Sequence, residues 1–126
     1  MKINLIISFI LTTSVYLIGG FDIAMQTLMI CIIIDYITGI LNAWFEKKLN
    51  SKIGAKGIIK KMGYILIIVL ATQFDRLLGD TGYVRIPTIY LFVANEGLSI
   101  VENWAKMGLP IPKKLVEKLA QLKESG

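Results

Sequence analysis

A chain of 126 residues, 55% of them hydrophobic and with a mean hydropathy of +0.65, allows one domain and is too apolar for an ordinary soluble one. Fourteen Lys and Arg against nine Asp and Glu give a net charge of +5, and it collects between and after the apolar runs, which points to membrane orientation rather than to a nucleic-acid surface. With no histidine the commonest general base and metal ligand is missing, and the single cysteine, Cys31, lies in an apolar run, cannot form an intrachain disulfide and reads as packing.

The first apolar run, about 3–18, ends at Gly19-Gly20-Phe21-Asp22. Lys2 ahead of it fits a signal peptide, but small residues at the cleavage positions are missing and a second run follows at once, so it is predicted to be a retained span. It is short, about 24 Å as a helix against a hydrocarbon core of about 30 Å. The second run, about 24–45, is long enough to cross and carries Asp35 at its middle. A lysine-dense turn precedes the third run, about 62–78, where Asp75 and Arg76 lie near the far end. Adjacent helical residues do not face each other, so each needs its own partner or the interface, with snorkelling as the explanation. The fourth run, about 86–104, has Pro87 in its first turn and a polar second half. Gly108-Leu109-Pro110-Ile111-Pro112 breaks it, and residues 113–124 form an amphipathic helix with Leu115, Leu119 and Leu122 on one face. Its basic surface suits a membrane surface or a partner helix, or it is a solvated cytoplasmic helix.

The expected fold is therefore an all-α integral membrane protein. It has four transmembrane helices, or three if the first run does not cross, plus a C-terminal amphipathic helix. Residues 1–108 form the membrane domain and 109–126 a basic cytoplasmic tail. Lys47, Lys48, Lys52, Lys56, Lys60 and Lys61 lie between runs two and three, and Lys106, Lys113, Lys114, Lys118 and Lys123 follow run four. Under the positive-inside rule both termini are cytoplasmic. Trp44, Tyr64 and Trp104 fall at the predicted inner interface, and Tyr16, Tyr83 and Tyr90 near the outer one. If run one does not cross, the N-terminus is outside or re-entrant.

Two polar stripes carry what chemistry there is. Asp35, Thr38, Gly39, Asn42 and Glu46 fall on one helical face. A charge at a helix centre costs about 2.5–3.5 kcal/mol on insertion scales, so Asp35 faces other helices or water. Gly39 and Ala43 let another helix come close. The stripe either glues helices together or lines a watery path. On run four, Asn95, Ser99 and Glu102 form one seam and Glu96, Ser99 and Asn103 an overlapping one. These line an opening in an oligomer, or run four lies in the inner interface with its acids against the basic loop. No nucleophile–base pair with histidine, HExxH, phosphate loop or CxxC is present. The expectation is no enzyme, no cofactor and no metal.

DYITGILNAWFEKKLNSKIGAKGIIKK, from Asp35 to Lys61, resembles the signature of the phage-lysis and toxin-secretion holins of Gram-positive bacteria and their phages, the family that includes clostridial toxin-release holins. ANEGLSIVENWAKMGLPIPKKLVEKL, from Ala94 to Leu119, is similar to that family's C-terminal motif. The pattern carries over onto Asp35, Gly39, Ser51, Gly54, Gly57, Lys61, Asn95, Glu96, Ser99, Glu102, Asn103, Pro110 and Pro112, without a clear departure in either motif. The resemblance implies a homo-oligomer in the bacterial cytoplasmic membrane that opens non-selective lesions for an endolysin or a large toxin, with an antiholin as a further partner and no enzyme activity. The residues alone support an oligomer-competent, polyspanning protein with buried acids. From other classes stand a small selective channel or proton-coupled carrier around Asp35 and Glu96, and a non-conducting scaffold. No repeat relates the two halves, which counts against the carrier. Met25, at the head of run two, is a candidate internal start.

Overall fold

The computed structural model describes residues 1–47, 51–79 and 81–125, with side chains for all of these except 51–53. Among the described residues there are five α-helices and no strand: α1 (Lys2–Leu17), α2 (Ile23–Phe45), α3 (Ser51–Leu77), α4 (Arg85–Lys106) and α5 (Lys113–Ser125).

The helix ends follow from local chemistry. After α1, the Gly20 N–H donates to Val15 O at 2.9 Å and the Gly19 N–H to Tyr16 O at 3.2 Å. This paired turn places Gly19 at φ +83°, a left-handed conformation that favours glycine. Asp22 then caps α2 by accepting from the Met25 N–H at 3.1 Å. The α3 helix begins at Ser51, well before the expected Met62, so part of the lysine-dense segment is helical rather than a turn. Lysine and alanine are good helix formers, and no proline interrupts them. At α4 the cap comes from another helix: the Asp75 carboxylate accepts from the Val84 and Arg85 N–H groups, both at 2.9 Å.

Contacts along the helices fix their directions. Asp22 meets Arg85, and further along Asp35 meets Asn103, so α2 and α4 run parallel. Lys61 meets Asp35 and Asp75 meets Arg85, so α3 runs against both. Tyr16 meets Arg76, which brings the end of α1 to the end of α3. Met25 and Leu28 of α2, Tyr64 and Ile68 of α3, and Ile89, Phe92 and Val93 of α4 close the core. Tyr64 is 7% exposed and its ring stacks on Phe92 at 4.2 Å between centroids, so it packs inside the bundle rather than at an interface.

Outside that core the bundle is apolar. No residue of α1 is buried, and Phe9 is 72% and Leu66 69% exposed. Apolar surface on this scale suits lipid or protein rather than water. Among the described residues, two helices, α2 and the Gly54–Leu77 part of α3, are long and apolar enough to cross a membrane. The 23 residues of α2 extend about 34 Å. The α1 helix is shorter at 16 residues, and α4 is polar in its second half.

The tail helix folds back on α4. Its Leu119 is buried against Gly97, where an added Cβ would collide with the leucine methyl groups. Leu122 packs on the core, while Leu115 stays 50% exposed. Trp104 Nε1 donates to Pro110 O at 2.9 Å and closes the connection.

Candidate functional site

Midway along α2, three helices bring charged side chains together inside the apolar bundle. Lys61 Nζ from α3 donates to Asp35 Oδ2 of α2 at 2.7 Å and to Glu96 Oε2 of α4 at 2.8 Å. Asn103 Nδ2 of α4 reaches Asp35 Oδ1 at 3.3 Å and Thr38 Oγ1 at 3.2 Å. Thr38 also donates to Ile34 O at 2.8 Å in its own helix. Side-chain exposure is 13% for Lys61, 12% for Asp35 and 3% for Glu96, so water screens this cluster poorly. One ammonium serves two carboxylates. Among the described residues, Asn42 Oδ1 and Tyr64 Oη are buried without a hydrogen-bond partner.

The expected residues divide between this cluster and the surface. Asp35, Thr38, Glu96 and Asn103 meet in it, and a Cβ on Gly39 would lie 3.6 Å from Asn103 Nδ2. Asn42 is buried and Ser99 half-buried, whereas Asn95, Glu102 and Glu46 are exposed. Lys47, Lys56, Lys60, Lys106, Lys113, Lys114, Lys118 and Lys123 are exposed. Lys48 and the side chain of Lys52 lie outside the described residues. Lys61, counted with the loop lysines, instead holds the cluster, because α3 continues through it. A signal for this was present: Lys61, Tyr64, Ile68, Thr72 and Asp75 recur at helical spacing and form the inward face of α3.

A second polar cluster, missed in the sequence, joins the helix ends. Arg85 is 5% exposed. Its guanidinium donates to Asp22 Oδ2 at 2.7 Å, Asp22 Oδ1 at 3.1 Å, Ile18 O at 2.6 Å and Gly20 O at 2.9 Å. The Arg85 hydrogen bonds hold the Asp22 carboxyl below its ordinary value. Snorkelling does not account for Asp75 and Arg76. Asp75 is 2% exposed as the α4 cap, and Arg76 donates to Tyr16 O at 2.5 Å and lies 3.9 Å over its ring.

An apolar groove of about 430 Å³ runs between α2 and α3, lined by Met29, Ile33, Ile37, Met62 and Ile65 and reaching Lys61. Among the described residues no group of His, Cys, Asp and Glu could hold a metal ion. The arrangement binds helices to one another through charge.

The model of the bacteriophage holin family matches residues 12–124. An uncharacterised 14.9 kDa protein of Clostridium perfringens is 40% identical over 112 residues, covering 88% of this chain and 85% of its own length. The protein YqxH of Bacillus subtilis is 37% identical over 105 residues, 83% of this chain and 74% of its own. A protein of Bacillus phage phi105 named "Probable holin" is 36% identical over 95 residues, 75% of this chain and 70% of its own. No solved structure matches.

Proposed function

This chain belongs to the bacteriophage holin family, and from that premise we propose that it is itself a holin: it oligomerises in the cytoplasmic membrane and opens non-selective lesions through which an endolysin or a large toxin passes. α1 to α4 all cross, with the lysine-rich segment between α2 and α3 and both termini on the cytoplasmic side. The antiparallel directions of α2 and α3, with α4 parallel to α2, support that arrangement.

The observation that carries the reading is a charged cluster in the middle of helices whose outer surfaces are apolar. Lipid accepts the outside of such a bundle and rejects its inside. Exposed Asn95 and Glu102 on α4 add polar groups at the bundle surface, which in a membrane call for water or a neighbouring copy. Assembly with these faces turned inward supplies both. The same cluster also favours a second reading, a non-conducting scaffold in which Lys61, Asp35 and Glu96 only hold helices together.

Induced expression in a bacterium, with and without a cytoplasmic muralytic enzyme, separates the two. A holin arrests growth abruptly and lyses the culture only when the enzyme is present. A membrane-inserted protein that leaves growth and enzyme location unchanged is a scaffold.

A further inference from the structure

The depth at which α5 docks is at odds with lipid around it. Leu119 sits at Gly97, next to Glu96 and so level with the cluster that includes Asp35. That level is the middle of α2, a helix long and apolar enough to cross. The docked α5 therefore climbs from the inner end of α4 to about the centre of the bilayer. Charged side chains cover α5 outside its contact with α4: Glu117, Lys118, Lys123 and Glu124 are all exposed. Hydrocarbon rejects such side chains at that depth. An anionic inner leaflet attracts the same lysines. Yet the seat is specifically shaped. Gly97 leaves room for the Leu119 methyl groups, Leu122 packs on the core, and Trp104 ties the connection. A seat this well fitted and side chains this polar call for water rather than lipid beside the hairpin.

We propose that α5 alternates between the inner membrane surface and the Gly97 seat on α4, and takes the seat only when water rather than lipid lies against its charged side chains. Opening of a lesion then draws α5 onto α4. The docked hairpin stabilises the open form by giving its wall the charged residues of α5. The inference rests on the holin reading, because it needs a water-filled opening.

The antiparallel register that pairs 97 with 119 also pairs 101 with 115. The test uses the full chain with Cys31→Ser, Val101→Cys and Leu115→Cys and a short bifunctional maleimide. In detergent, where water reaches the hairpin, efficient intramolecular cross-linking is expected. In vesicles with anionic lipid at a protein density too low for dye leakage, the yield should fall at least several-fold. At densities where a large dye leaks, it should return to the detergent level. Adding Gly97→Leu, which fills the seat, should abolish the cross-link and reduce leakage while the protein still inserts. Leu119→Ala, which leaves α4 intact, should do the same more mildly. Equal yields in silent and leaky vesicles would overturn the proposal, as would leakage unaltered by Gly97→Leu and Leu119→Ala. Leakage without cross-linking rejects the α5 movement and leaves the holin reading standing. No leakage at any density rejects both.

Discussion

Replacing Lys61 with methionine tests whether one ammonium holds the central cluster together. The change keeps most of the apolar stem and deletes the group that lies 2.7 Å from Asp35 and 2.8 Å from Glu96. Two carboxylates on facing helices are left without their counter-charge, at exposures of 12% and 3%. Removing one partner of a buried ion pair typically costs about 3–5 kcal/mol, because the remaining charge is stranded. For a chain of this length that corresponds to a drop in thermal midpoint of roughly 10 °C or more. Asp35→Asn is the instructive contrast. It preserves shape, leaves Lys61 and Glu96 as a matched pair, and loses a hydrogen-bond contribution of about 1 kcal/mol. The triple change Lys61→Met, Asp35→Asn, Glu96→Gln removes every charge and should recover most of the loss. Thermal unfolding of the purified proteins in detergent, followed by helical circular dichroism, ranks the variants. If Lys61→Met unfolds with the wild type, the cluster is not an energetic unit. If the triple variant is as unstable as the single one, the loss lies in packing around the lysine stem rather than in charge.

Four further outcomes are expected. A chain starting at Met25 lacks Asp22, Ile18 and Gly20, all partners of Arg85, so it should be less stable, by less than the roughly 3–5 kcal/mol of a fully buried pair because Asp22 is 44% exposed, and accumulate poorly; normal levels and stability would refute the Arg85 lock. Asp75→Ala removes the acceptor of two α4 N–H groups and should cost about 2 kcal/mol or more, read as faster hydrogen exchange at Val84 and Arg85. The Asp22 carboxyl is held below its ordinary 3.8 by Arg85; its contribution is present above that pH and is lost as pH falls through the lowered value. Asp22→Asn should therefore narrow its stability gap from the wild type on acidification below 3.8, and a constant gap would contradict the pairing. A cysteine at Ser51 in a Cys31→Ser chain should resist an impermeant thiol reagent in intact, unlysed cells, whereas labelling from outside would reverse the proposed topology.

Local sequence properties determined much of this protein. The four apolar runs, the breaks at Gly19-Gly20 and Gly108 to Pro112, and the amphipathic tail are written in hydropathy and in glycine and proline, which act on neighbouring residues. The family pattern from Asp35 to Lys61 and Ala94 to Leu119 is local in the same sense. The α2 stripe was legible because Asp35, Thr38 and Asn42 share a helical face whatever lies opposite. Tertiary structure alone decided what does lie opposite. Glu96 and Asn103 were separated from Asn95 and Glu102 by the side of α4 that meets α2, and Lys61 was taken from the basic segment because α3 carries its helix through that residue. Asp75 became the cap of α4, Arg85 the lock on the α1–α2 turn, and Gly97 the seat for Leu119. Each of these pairings joins residues distant in the chain, and a charge or a gap acquires its partner only when helix packing brings the two within a few ångströms.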